Sequence, residues 1–60
     1  MTAKELLRAL KGDGWYEYET RGSHIQLKHP TKKGKVTVPF HSGDIPIKTL
    51  GSILKQAGLK

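Results

Sequence analysis

Cysteine is absent from these 60 residues, so no disulfide staples the fold and no thiolate can hold a metal ion. That absence suits a reducing compartment. Acidic residues are scarce, with five Asp plus Glu against eleven Lys plus Arg, giving a formal charge of +6. There is no opening apolar run of signal-peptide form and no apolar stretch long enough to span a bilayer, so a soluble, cytoplasmic protein without membrane association is expected. Glycine-rich phosphate loops of the P-loop or dinucleotide type are also missing, and no cofactor is expected. Length is a further shortage, since a chain of this size buries only about 60% of its unfolded surface. One domain over residues 1–60 is expected, with a thin core and no large internal substrate cavity.

What is present in excess is positive charge, concentrated in Lys28, Lys32, Lys33 and Lys35. Lysines near a polyphosphate release condensed counterions, so such a cluster favours a polyanionic partner. The same charge also serves as a solubilising surface. An anionic membrane is the weaker partner, because neither expected helix sets a basic face opposite a large aromatic one.

Thr2 stands where an N-cap belongs, with Glu5 three residues on as in a capping box, and Ala3, Leu6, Leu7 and Leu10 share one helical face up to Gly12-Asp13-Gly14. Strands are predicted over Trp15 to Thr20, Ser23 to His29 and Lys35 to Phe40, the first two joined by an Arg21-Gly22 turn and the last two by the polar loop Pro30 to Gly34. After a turn around Ser42-Gly43-Asp44, a second helix from about Pro46 to Ala57 carries Ile47, Leu50, Ile53, Leu54 and Ala57 on one face, with Asp44 as its expected cap and Gly58 closing it. The expected fold class is α+β, an α-β-β-β-α chain. Its three-stranded antiparallel sheet has two helices on one face and the other face open to solvent.

Strand parity then assigns the open face. Ile25, Leu27, Val36, Val38 and Phe40 point to the core, which turns His24, Gln26, Lys28, Lys35 and Thr37 outward. An Arg21-Gly22 turn places Tyr18 opposite Ile25 and Tyr16 opposite Leu27 in the core, and Glu19 opposite His24, where it could orient the imidazole.

The segment Gly22-Ser23-His24-Ile25-Gln26-Leu27-Lys28 is therefore the chemical focus. An imidazole exchanges protons near neutral pH, and Lys28, Lys35 and Arg21 could hold a phosphodiester against it. RNA carries its own nucleophile in the 2′-hydroxyl, so a base and a cationic cradle suffice without a metal. Competing chemistry fits poorly. Ser23 and His24 diverge on an extended strand, so a Ser-His nucleophile pair is disfavoured, and Ser23 serves better as a turn former or hydrogen-bond donor. His24 and His29 differ in parity and lack a third ligand. Glu17 and Glu19 read as strand solvation rather than a glycosidase pair. His41 is either an auxiliary acid or a loop-closing residue, the latter favoured, and Trp15 is expected in the core rather than stacked on a base.

Taken in order, Gly12-Asp13-Gly14-Trp15, Gly22-Ser23-His24 with His29-Pro30, Val36-Thr37-Val38-Pro39-Phe40-His41, and Thr49-Leu50 with Ile53-Leu54-Lys55-Gln56-Ala57-Gly58-Leu59 resemble the HicA-type, or YcfA-like, toxins of bacterial and phage toxin-antitoxin systems. Nearly the whole chain takes part. Where that family often has Gly-Thr-Leu-Arg in its last helix, Lys48-Thr49-Leu50-Gly51 stands here. The resemblance implies a double-stranded-RNA-binding-domain-like fold and an endoribonuclease, or mRNA interferase, that cuts mRNA independently of the ribosome. It also implies a HicB-type antitoxin as partner, and it maps the catalytic histidine onto His24. Single-stranded RNA or mRNA is the expected substrate, with Ser23, Gln26, Lys28, Lys32, Lys33 and Lys35 as contacts, Glu19 and His41 as auxiliaries, and no metal. Two other readings are a non-catalytic RNA-binding module and an antitoxin-interaction domain, both of which leave His24 dispensable.

Overall fold

The computed structural model describes residues 1–40 and 43–59. The chain runs α1 (Ala3–Gly12), β1 (Tyr16–Arg21), β2 (His24–Lys28), β3 (Lys35–Pro39) and α2 (Ile47–Gln56). The sheet is antiparallel with β2 in the centre. Thr2 caps α1 through a complete capping box, its hydroxyl accepting from the Glu5 N–H at 3.2 Å while the Glu5 carboxylate accepts from the Thr2 N–H at 2.9 Å. Both helices close in the same way. Gly14 and Gly58 adopt positive φ just after the C-caps, and Trp15 and Leu59 donate back to the carbonyls of Leu10 and Leu54.

Ala3, Leu6, Leu7 and Leu10 from α1 meet Trp15, Ile25, Leu27, Val36, Val38, Ile53 and Ala57 in one core, with Leu50 and Leu54 packed at its margin. Both helices therefore cover one face of the sheet, as the periodicity predicts. Strand β1 lies outside that cover and has no buried residue.

Three expectations about the core fail, each for a local reason. Ile47 is 87% exposed rather than core-facing, because it sits in the overhanging first turn of α2 while Ile45, just before the helix, is buried. Phe40 is 46% exposed, because β3 ends at Pro39 and the Phe40 N–H closes the sheet end on the Ser23 carbonyl at 2.6 Å. Tyr16 and Tyr18 are exposed as well, for a reason of register given below. Asp44 does not cap α2, whose N-cap is Pro46 with no side-chain bond; Asp44 instead bridges Thr2, and the Ile45 N–H donates to the Met1 carbonyl. The expected turn at Ser42 and the assignments to His41 lie outside the described residues. No helix among the described residues is long and apolar enough to cross a membrane.

Candidate active face and nucleic-acid interface

The hairpin that presents His24 turns on Gly22-Ser23 rather than Arg21-Gly22, since Arg21 pairs with His24. Gly22 has φ +57 and Ser23 does not have positive φ, the arrangement of a II′ hairpin turn with glycine first. The consequence is a register different from the one expected. Arg21 faces His24, Thr20 faces Ile25 and Glu19 faces Gln26, after which a bulge at Tyr18 shifts the pairing to Glu17 with Leu27 and Tyr16 with Lys28. A one-residue shift exchanges the two faces of a strand, which is why Tyr16 leaves the core side and Glu17 takes it. Glu17 then meets Lys11 of α1 at 2.6 Å.

The open face consists of three rows across the sheet. The row nearest the turn is Arg21, His24 and Pro39; the next is Glu19, Gln26 and Thr37; the last is Tyr16, Lys28 and Lys35, with Tyr18 beside it at the bulge. His24 is exposed, as parity predicts. Glu19 does not orient it. The Glu19 carboxylate pairs with the Arg21 guanidinium instead. In the middle row the Thr37 hydroxyl donates to the Gln26 side-chain carbonyl at 2.9 Å, which fixes the amide. Lys28 and Lys35 stand four residues from His24 along the sheet, about 13 Å at strand rise. The cation beside the imidazole is thus Arg21, and the lysine pair forms a separate anchor.

The two other lysines sit on the β2–β3 loop. Lys33 is exposed, whereas Lys32 is half-buried and bridges the helix C-termini, donating to the Asp13 carboxylate at 2.5 Å and to the Ala57 carbonyl at 2.9 Å. That bond is the main reason the Asp13 carboxyl is held below its ordinary value, although burial works against it. Ser23 is exposed in the turn.

His29 is a structural residue. Its side chain is 8% exposed and meets the Trp15 ring edge-on at 5.2 Å between centroids. Nε2 lies 2.7 Å from the Asp13 carbonyl, which can only accept, so Nε2 carries the proton; Nδ1 accepts from the Thr31 and Lys32 N–H groups at 3.1 Å each. One imidazole thereby ties the C-terminus of α1 to the β2–β3 loop. The Trp15 indole N–H is the buried side-chain polar group without a hydrogen bond among the described residues. Also among the described residues, no group of three or more His, Asp or Glu side chains is arranged to hold a metal ion.

This architecture has counterparts among known proteins. The family described as HicA toxin of bacterial toxin-antitoxin matches residues 3–59. The chain belongs to the HicA toxin family. A solved structure described as a toxin-antitoxin complex from Streptococcus pneumoniae is similar to this HicA chain, with 33% identity, a TM-score of 0.83 and coverage of 98% of each chain. No curated protein matches it. The α-β-β-β-α arrangement is accordingly the double-stranded-RNA-binding-domain-like fold expected of a HicA toxin.

Sequence reasoning found His24, Gln26, Thr37, Lys28 and Lys35 on this face but missed the two tyrosines. The place of the turn was legible in Gly22-Ser23, because glycine as the first residue of a two-residue loop suits a II′ turn, but that turn shifts the pairing by two residues and leaves each β1 side chain on its face. The bulge at Tyr18 had no comparable marker.

Proposed function

We propose that this HicA toxin is a metal-independent endoribonuclease that cleaves mRNA, with His24 as its catalytic base. The observation that carries the reading is the exposed His24 imidazole directly across the ladder from Arg21, on the solvent face of a HicA-family sheet. His24 takes the proton from a ribose 2′-hydroxyl, O2′ forms a bond to the adjacent phosphorus, and the P–O5′ bond breaks. The leaving O5′ takes its proton from solvent on this open face. Arg21 stabilises the charge gathering on the phosphoryl oxygens, the kind of electrostatic assistance that acts where charge develops. The products are a 2′,3′-cyclic phosphate and a 5′-hydroxyl.

The cell's safeguard in this reading is a HicB-type antitoxin that covers the face in the cytoplasm. Support comes from the Streptococcus pneumoniae protein, whose structure is a toxin-antitoxin complex. Charge complementarity between this basic chain and an acidic partner would speed the encounter. The chemistry is tested by analysing RNA ends after cleavage. Cyclic phosphate beside 5′-hydroxyl is the expected result, whereas 3′-hydroxyl beside 5′-phosphate would mean that water, not the 2′-hydroxyl, is the nucleophile.

A further inference from the structure

Two aromatic side chains on the solvent face of the sheet have no part in the core. Tyr16 is 49% exposed and Tyr18 is 39% exposed. Tyr16 pairs directly with Lys28, and the Lys28 ammonium lies 4.6 Å from the centre of the Tyr18 ring. Lys35 completes that row. An ordinary antiparallel hairpin of this sequence would alternate one tyrosine-bearing side inward. The bulge between Glu17 and Glu19 instead brings both rings to water, at an edge strand that the helices leave uncovered. Bulges commonly re-aim side chains in this way next to functional sites.

We propose that Tyr16, Tyr18, Lys28 and Lys35 form a stacking platform for single-stranded RNA, separate from the cleavage row. The proposal rests on the ribonuclease reading for its substrate, and it adds how that substrate is held. Sequence-tolerant binding of single strands combines aromatic faces for the bases with cations that follow the backbone, and this cluster supplies both. A duplex has no unstacked base to offer these rings. The platform lies four residues from His24 along β2, about 13 Å, which corresponds to roughly four nucleotides at stacked spacing. Between the two, the Gln26 amide, fixed by Thr37, presents its N–H groups to the passing strand. RNA therefore runs along the strand direction, with the scissile phosphate at His24 and bases a few nucleotides away on the tyrosines.

The test uses a 5′-fluorescein-labelled 12-nucleotide single-stranded RNA of mixed sequence, titrated by anisotropy against His24→Ala protein so that the probe stays intact. Tyr16→Ala and Tyr18→Ala are added singly, with Tyr18→Phe as a control that keeps the ring. Each alanine variant is expected to weaken binding roughly fivefold or more, the range for losing one stacked base, while Tyr18→Phe keeps most of the affinity. The difference should shrink when the RNA is shortened below about four nucleotides on either side of the cut. Unchanged affinity in both alanine variants, folded by circular dichroism, overturns the platform. So does a duplex of the same sequence binding more tightly than the single strand with no tyrosine dependence. Failure of the ribonuclease reading looks different: wild type would not cleave, whatever the tyrosine variants do to binding.

Discussion

Arg21 stands directly across the β1–β2 ladder from His24, and its guanidinium is held by Glu19 in the adjoining row of the same face. One cation is thereby anchored on the face that carries the imidazole. Replacing Arg21 with Gln should lower kcat/KM for RNA cleavage by roughly tenfold to a hundredfold while leaving the melting temperature nearly unchanged. Arg21→Lys should restore only part of that loss, because an ammonium lacks the planar fork. Steady-state kinetics on a labelled RNA checks both.

Removing the Glu19 charge should act in the opposite direction on binding. Glu19→Gln deletes a negative charge from the face and frees the Arg21 guanidinium, so RNA affinity should rise at low salt. Its dependence on salt should steepen by about one phosphate contact. Binding isotherms across a salt series measure this slope.

His29 and His24 should separate cleanly in stability measurements. His29→Ala leaves the Thr31 and Lys32 N–H groups and the Asp13 carbonyl without their partner and opens space beside Trp15. A loss of about 2–4 kcal/mol is expected, which for so small a chain lowers the melting temperature by on the order of 10 °C or more. His24→Ala, at an exposed position, should shift it little.

The same contact makes two glycines unequal. A Cβ on Gly14 would lie 2.8 Å from His29 Nε2 at a φ of +106, whereas a Cβ on Gly22, with φ +57, meets nothing within 4 Å. Gly22→Ala should therefore cost about 1 kcal/mol for backbone strain alone, and Gly14→Ala clearly more. Thermal denaturation of the two variants gives the order.

Acid should loosen the junction of the helix ends. The Asp13 carboxyl is held below its ordinary value chiefly by its hydrogen bond from Lys32. A carboxylate lowered in the native state contributes stability that is fully present above the unfolded value, about 3.9, and is lost as pH falls through the lowered native value. Asp13→Asn should flatten the decline in melting temperature over that acid window, leaving a lower but less pH-dependent curve.

Much of this molecule is legible in its sequence because periodicity reports burial. The stripe Ala3, Leu6, Leu7 and Leu10 and the alternation of Ile25, Leu27, Val36 and Val38 all emerge in the core, and the same parity puts His24 in solvent. Legibility ends where one residue changes meaning through its neighbours. Tyr16 and Tyr18 look like core residues of an alternating strand, yet a bulge at Tyr18 turns them outward. Ile47 shares the helical face of Leu50 but overhangs the core that Ile45 already enters. Lys32 reads as one more basic side chain on a loop, and only the folded geometry brings it between Asp13 and the end of α2.

The central claim, that His24 performs the chemistry, is tested most directly by incubating a labelled single-stranded RNA in EDTA with wild-type and His24→Ala proteins, both shown to be folded by circular dichroism. The account predicts cleavage by wild type and none above background by His24→Ala, with RNA binding retained in both. Cleavage by folded His24→Ala at the wild-type rate would contradict it.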